Sequence, residues 1–132
     1  MSSIFTKIIN RELPGHIVWE NDNYIAFLSI RPVNPGHLLV VPKKESGYLF
    51  DLSDAEYTEL LLTAKFLALP LQKATQAKKI GLSVEGFEID HVHIHLIPIN
   101  NTGEMDPRLV EEASNEDLAA MCERIKTEVD KI

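Results

Sequence analysis

The chain has 132 residues, of which 45% are hydrophobic and 25% charged, as in a single globular domain with its own core. Its formal net charge of −7 argues against nucleic acid as the main partner, because binding a phosphate backbone requires clustered Lys and Arg. Cys122 is the only cysteine, which excludes an intrachain disulfide; there is also no signal-like start and no membrane-length apolar run, so we expect a cytoplasmic protein without a membrane partner.

The first part of the chain predicts antiparallel strands. Residues 16–20 and 24–30 are strand-like runs separated by "NDN", which has turn chemistry and predicts a hairpin. The prolines and glycine of "RPVNPG", residues 31–36, indicate a loop. The nearly continuous apolar run "HLLVVP", residues 37–42, then predicts a central strand.

A long helix is predicted over about residues 54–79. Ser53 and Glu56 have the spacing of a capping box at its start, and Gly81 is expected to stop it in the left-handed conformation. Pro70 lies inside this range and is expected to kink or split the helix. The apolar surface over residues 60–71 is wider than one small core buries, which indicates contact with a second subunit.

The last third of the chain predicts two more strands and a final helix. Residues 80–86 and 91–97 read as strands, and a helix with one apolar stripe begins near Ser114 and runs to about residue 131. We find no internal repeat or linker. The sequence therefore predicts one α+β domain over residues 1–132, with a mainly antiparallel sheet.

The segment "HVHIHLIP", residues 91–98, carries the strongest functional signal. Side chains alternate across a strand, so His91, His93 and His95 are predicted on one face and the apolar residues between them on the other. Three interpretations compete. The face is incidentally polar; or two neighbouring imidazoles and His37 bind a metal ion such as zinc; or an imidazole attacks phosphorus, since a neutral imidazole is a good nucleophile near neutral pH.

The pattern His-φ-His-φ-His-φ-φ, where φ is apolar, resembles the signature of the histidine triad (HIT) superfamily. Residues 3–44, and "NPGHLLVVPK" in particular, are similar to the N-terminal half of Hint-type and bacterial HIT proteins. The resemblance implies a HIT-like fold: an antiparallel sheet of about five strands with one long and one C-terminal helix. It also implies a homodimer built partly through the long helix.

The resemblance further implies an enzyme that cleaves at the α-phosphate of a purine nucleotide, either a nucleoside phosphoramidate or a dinucleoside polyphosphate. His93 then corresponds to the nucleophile that forms a nucleotidyl-histidine intermediate, and His95 to the residue that contacts the α-phosphate. His91 supports the site by hydrogen bonding, and His37 packs nearby. No cofactor is required, although Mg²⁺ is expected to accompany a polyphosphate substrate.

The base and ribose pocket of the Hint branch is formed by residues that match Phe5, Ile8, Phe27 and Ile30. Aromatic and aliphatic walls suit a flat purine. Without the resemblance, however, the same four residues would be interpreted as hydrophobic core. The sequence leaves both interpretations open.

Three features of the sequence depart from the family pattern. Ser3 and Thr6 stand where some relatives carry a Cys-x-x-Cys pair for structural zinc, so no such zinc is expected. Ser29 stands where many relatives have an aspartate that accepts hydrogen bonds from the ribose hydroxyls. Glu88, three residues before His91, stands where the Hint branch has a serine that assists the leaving group; it is either a general acid or a solvated loop residue. These departures motivate an alternative, a nucleotide-binding regulatory module with weak or no turnover.

Overall fold

A five-stranded antiparallel sheet carries the fold in the computed structural model, which describes residues 2–132. The strands lie in the order β1-β2-β3-β5-β4. This confirms the predicted α+β architecture and its antiparallel sheet. The strands are β1 (Ile17–Glu20), β2 (Tyr24–Leu28), β3 (Leu38–Pro42), β4 (Lys79–Ser83) and β5 (Ile94–Ile99).

Three helices flank the sheet, α1 (Ile4–Ile9), α2 (Asp54–Thr75) and α3 (Asn115–Asp130). The long helix α2 and the C-terminal helix α3 were predicted, but the short helix α1 was not. Ser3 caps α1 by accepting a hydrogen bond from the Thr6 N–H at 3.1 Å. Within residues 2–132, no helix has the length and apolar composition needed to cross a membrane.

The two faces of the sheet pack against different helices, because side chains alternate along each strand. Helices α2 and α3 cover one face and form the main core with it, and α1 packs on the other. The main core includes Ala26, Leu28, Leu38, Val40, Ile94 and Leu96 from the sheet and Leu60, Leu67, Leu71 and Ile125 from the helices. The second core consists of Phe5, Ile25, Phe27, Leu39 and Val41.

The predicted capping box at the start of α2 is confirmed. The Ser53 hydroxyl accepts from the Glu56 N–H at 3.1 Å, and the Glu56 carboxylate accepts from the Ser53 N–H at 3.2 Å. Pro70 lies buried within one continuous helix and therefore does not split it.

The predicted end of α2 at residue 79 is wrong. The helix ends at Thr75, and Gln76 takes the left-handed conformation, with φ of 57°, that had been expected of Gly81. Gly81 instead lies inside β4. The cause is tertiary: β4 pairs with β5 from Lys79 onward, and strand pairing withdraws these residues from the helix.

The last strand begins three residues later than predicted, although the three histidines still lie on one side of the chain, opposite Val92, Ile94 and Leu96 in the main core. Only His95 lies in β5, whereas His91 and His93 precede it. The register pairs Val40 with Ile94, which brings Pro42 opposite residue 92. Proline has no N–H to donate, so the ladder stops there. Strands β2 and β4 are also shorter than predicted, ending at residues 28 and 83.

Candidate functional site

The ring of His93 is held as a neutral imidazole with one free nitrogen. It is 7% exposed, and its Nδ1 lies 2.7 Å from the main-chain oxygen of His91. A carbonyl oxygen only accepts, so Nδ1 carries the proton and the lone pair is on Nε2. Burial lowers the pKa of His93, which keeps the ring unprotonated near neutral pH. This is the protonation state that a nucleophile requires.

A hydrogen-bonded relay fixes the tautomer of His95. The Val33 N–H donates to Nδ1 of His37 at 3.0 Å, so the proton of a neutral His37 is on Nε2. That Nε2 lies 2.9 Å from Nδ1 of His95 and donates to it. The remaining nitrogen of His95 therefore bears an N–H. The ring centroids of His93 and His95 are 4.8 Å apart, so this donor belongs to the ring next to His93.

Burial also keeps the relay histidines neutral. It lowers the pKa of His37 to about 3 and that of His95 to about 4, and in each case a neighbouring imidazole adds to the effect. With His93, they form a site whose bases are neutral and oriented at pH 7. The arrangement can offer a lone pair and an N–H donor to the same phosphoryl group.

These pKa values predict a loss of stability in mild acid. In the unfolded chain a histidine has a pKa of about 6.5, and folding lowers the pKa of these histidines. Below about pH 6.5 the unfolded chain therefore binds more protons than the native protein. The contribution of these histidines to the free energy of unfolding is thus fully present above about pH 6.5 and is lost as the pH falls toward the folded pKa. After a discount for partial exposure, we expect the free energy of unfolding to fall by about 2 kcal/mol between about pH 6.5 and about pH 4.5.

Urea denaturation across this range would measure the effect. His37→Gln should make the dependence on pH shallower, and His16→Gln, which changes a histidine outside the relay, should leave it unchanged. An identical slope in wild type and His37→Gln would contradict the prediction.

His91 supports the site through hydrogen bonds, and its ring does not face a substrate. Its ring is fully buried, Nε2 donates to the main-chain oxygen of Pro42 at 2.8 Å, and Nδ1 lies 2.6 Å from the hydroxyl of Ser3. Both ring nitrogens are therefore occupied, and neither is free to attack a substrate. Its main-chain oxygen is the group that orients His93.

The predicted pocket residues Phe5, Ile8 and Phe27 gather on the triad face of the sheet. The Phe5 ring is edge-on to the rings of His93, His91 and Phe27, with centroid distances of 4.9, 5.8 and 5.4 Å. Phe5 and Phe27 are buried, with Ile8 packed against their cluster. The core interpretation thus holds for the two phenylalanines, and Phe5 is at the same time a wall of the triad.

The remaining predicted pocket residues lie at the margins. The Ser29 N–H donates to the main-chain oxygen of His37 at 2.9 Å, and its hydroxyl accepts from the Arg31 N–H at 3.3 Å. Ile30 is 67% exposed, and Glu88 is also exposed. Ser29 therefore touches the relay, whereas Ile30 and Glu88 present their side chains to solvent.

Ser3 and Thr6, the positions at which a Cys-x-x-Cys pair would have to stand to bind zinc, lie together beside His91. Ser3 and Thr6 contact one another, and Thr6 also binds the carboxylate of Glu45. Two neutral hydroxyls do not match the thiolate and imidazole donors that zinc prefers, so this donor set does not fit the ion. Within residues 2–132, no cluster of three or more His, Cys, Asp or Glu has a geometry suited to a metal.

A separate cavity of about 580 Å³ adjoins the site. Ser29 and His37 contribute to its wall, together with residues of the 32–36 loop and of α3 such as Leu118 and Met121. None of the three triad histidines lines it. The cavity therefore lies on the His37 side of the relay, and the free nitrogen of His93 does not face it.

Several groups that hold the triad were not identified from the sequence. Ser3 and His91 are 88 positions apart, and no motif spacing connects them. The N–H of Val33 and the oxygen of Pro42 belong to the main chain, which any residue supplies. The one available signal was the helix cap: Ser3 followed by Thr6 before an apolar run is an N-terminal pattern that could have predicted α1.

Comparison with known proteins agrees with the geometry. The HIT domain model matches residues 10–102. An adenosine 5'-monophosphoramidase of Saccharomyces cerevisiae is 38% identical over 72% of this chain and 61% of its own length. An adenylylsulfatase of Arabidopsis thaliana is 38% identical over 72% of this chain and 69% of its own. The crystal structure of a HIT-like protein from Bartonella henselae superposes with a TM-score of 0.85, at 30% identity, covering 96% of each chain.

Proposed function

The chain belongs to the HIT domain family, and from that premise we propose that it is a nucleotidyl hydrolase or transferase acting at the α-phosphate of a purine nucleotide. The observation that carries the proposal is the N–H of His93 bound to the oxygen of His91, since it leaves Nε2 of His93 unprotonated at the site.

The reaction has two displacements. Nε2 of His93 attacks the α-phosphorus, and the bond from phosphorus to the leaving group breaks; the leaving group departs with the electron pair and takes a proton from solvent. Water then attacks the same phosphorus and releases a proton to solvent, the P–N bond to His93 breaks, and the ring regains its lone pair. The N–H of His95 binds a phosphoryl oxygen as negative charge develops there.

Phosphoramidate is the substrate class we favour. The yeast relative is named as an adenosine 5'-monophosphoramidase and the Arabidopsis relative as an adenylylsulfatase; both names describe an adenylyl group joined to a small leaving group. Dinucleoside polyphosphate is the second candidate class. We propose that neither reaction needs a bound metal, because His93 supplies the nucleophile, and that Mg²⁺ enters only with a polyphosphate substrate.

The test is mass spectrometry under acid-free quenching after mixing with adenosine 5'-phosphoramidate or, separately, with a diadenosine polyphosphate. A transient adenylyl mass on the protein, followed by release of AMP, is the expected result, and the faster substrate identifies the bond class. Formation of AMP without an adduct, at rates that would allow its detection, would exclude the covalent mechanism.

A nucleotide-binding regulatory module is the alternative function, and Ser29 is the observation that favours it. A serine offers the ribose one neutral hydroxyl, and here that hydroxyl already accepts from the Arg31 N–H. Binding of AMP with no turnover of either substrate would support this alternative. Ser29→Asp, which adds a charged acceptor, should then strengthen binding.

We also propose that the chain forms a homodimer through α2 and the edge of the sheet. Leu62, Phe66 and Leu69 are spaced by four and three residues, so they share one helix face, and they are 58%, 41% and 55% exposed. Strand β4 is an edge strand, and its Leu82 is 50% exposed. Apolar surface of this kind next to an unpaired edge is typical of an interface between copies.

The double substitution Leu62→Glu/Leu69→Glu should convert a dimer to a monomer, because it places two charges in the apolar contact. Sedimentation velocity over a range of concentrations would measure the change. Ala119→Glu adds the same charge to an exposed site on α3 and should leave the dimer intact. A wild-type protein that stays monomeric at high concentration would refute the interface.

A further inference from the structure

The main chain that orients His93 is not held by the sheet. Strand β5 begins at Ile94, so the carbonyl of His91 lies outside the ladder. That carbonyl must nevertheless stay fixed, because it keeps the proton on Nδ1 of His93 and the lone pair on Nε2. Contacts other than strand pairing must therefore hold it.

Those contacts come from the segment after β3 and from the start of α1. The Val92 N–H donates to the main-chain oxygen of Ser46 at 2.7 Å. The His91 ring donates to the oxygen of Pro42 and lies 2.6 Å from the Ser3 hydroxyl. The ring is thus clamped between residues that are distant in sequence, and its own carbonyl is clamped with it.

Glu45 organises the Ser3 side of this clamp. One of its oxygens accepts from the Ser3 N–H at 2.6 Å and from the Thr6 hydroxyl at 2.8 Å, and it lies 3.8 Å from Nδ1 of His91. The bond from the Ser3 N–H and the bond from the Thr6 hydroxyl lower the pKa of Glu45 to about 2, so the carboxylate stays ionised.

The carboxylate sets the direction of the bond to His91. Because the Thr6 hydroxyl proton goes to Glu45 and the Ser3 oxygen accepts from the Thr6 N–H, the one proton of the Ser3 hydroxyl remains for another acceptor. Its nearest acceptor is the bare Nδ1 of His91, whose other nitrogen already donates to Pro42. Every donor in the cluster then has one acceptor.

We propose that Glu45 is a positioning residue for the nucleophile: through Ser3 and Thr6 it fixes His91, whose carbonyl fixes the tautomer of His93. This role rests on the proposed function, but it makes a prediction about the imidazole tautomers that does not depend on turnover. It also gives the Ser3, Thr6 and Glu45 cluster a task performed by hydrogen bonds, without an ion.

Steady-state kinetics test whether Glu45 affects turnover. Glu45→Ala should lower kcat for adenosine 5'-phosphoramidate by about tenfold with little change in KM. His93 would then carry its proton on Nε2 much of the time, and in that tautomer Nε2 has no lone pair to attack with. Glu45→Gln keeps an acceptor oxygen and should restore turnover toward the wild-type value. Glu104→Ala is the matched control, since Glu104 also accepts from two main-chain N–H groups, those of Asn100 and Asn101, in a loop away from the triad.

Nitrogen-15 spectra of the imidazoles test whether Glu45 fixes the tautomer of His93. Wild type should show His93 protonated at Nδ1, and both Glu45→Ala and Ser3→Ala should show a mixture of the two tautomers. Ser3→Ala serves as the second route if Glu45→Ala does not fold. An unchanged His93 tautomer in these variants would overturn the proposal, whatever the kinetics. If the wild type turned over no substrate, the proposed function would fail while the spectra still decided the role of Glu45.

Discussion

Replacement of His93 by alanine is expected to lower kcat by at least about a thousandfold, because it removes the only nucleophile of the covalent route. Affinity for AMP should be largely retained, since the phosphoryl donor His95 and the aromatic wall Phe5 remain. Single-turnover assays with adenosine 5'-phosphoramidate would measure the loss, and calorimetric titration with AMP would measure the binding. His16→Ala, which removes a histidine outside the site, should leave both quantities unchanged.

A glycine at position 93 tests whether the side chain of His93 acts as the nucleophile. His93→Gly leaves a gap the size of an imidazole ring beside Phe5 and His95. Added imidazole should enter it and restore part of the turnover by attacking the α-phosphorus in place of the missing side chain. Rescue by imidazole but not by an amine of equal basicity would identify the missing group as a nucleophile. Full activity in His93→Ala would disprove the covalent route.

Most elements of the fold could be predicted from the sequence because their signals are local. The apolar runs at 24–28 and 38–42 are the central strands, buried on both faces, and the Ser53 capping box marks the start of α2 at the correct residue. The end of α2 could not be predicted in the same way. Gly81 is the better left-handed residue by local preference, but the pairing of β4 with β5 decided the boundary instead.

The histidines named from the sequence lie together in the structure, whereas the contacts that hold them were not predicted. Alternation correctly indicated that the three histidines lie on one side of the chain, but not that the ladder ends at Ile94, opposite Val40, and leaves only His95 in the strand. The bond from Val33 to His37 uses a main-chain N–H, and the Glu45 cluster joins positions remote in sequence. Neither has a residue-type signature, so no spacing rule could have predicted them.

His37 is expected to act on catalysis through the tautomer of His95. His37→Leu removes the donor to Nδ1 of His95, and the ring can then place its proton there and turn a lone pair toward the phosphoryl oxygens. A lost donor at a developing negative charge costs on the order of a hundredfold in kcat. His37→Leu also leaves the buried Val33 N–H without its acceptor, which should cost about 1–3 kcal/mol of stability.

Two further substitutions separate these effects. The amide nitrogen of His37→Gln reaches the position of the imidazole Nε2, so it should preserve donation to His95 and most of the turnover, but not the bond from Val33. The amide oxygen of His37→Asn occupies the position of Nδ1, so it should preserve the Val33 bond and the stability, but lose turnover. A crossed result of this kind, from steady-state kinetics and urea denaturation of the same variants, would establish that the relay sets catalysis through His95. If kcat followed stability across all three variants, His37 would be only a packing residue.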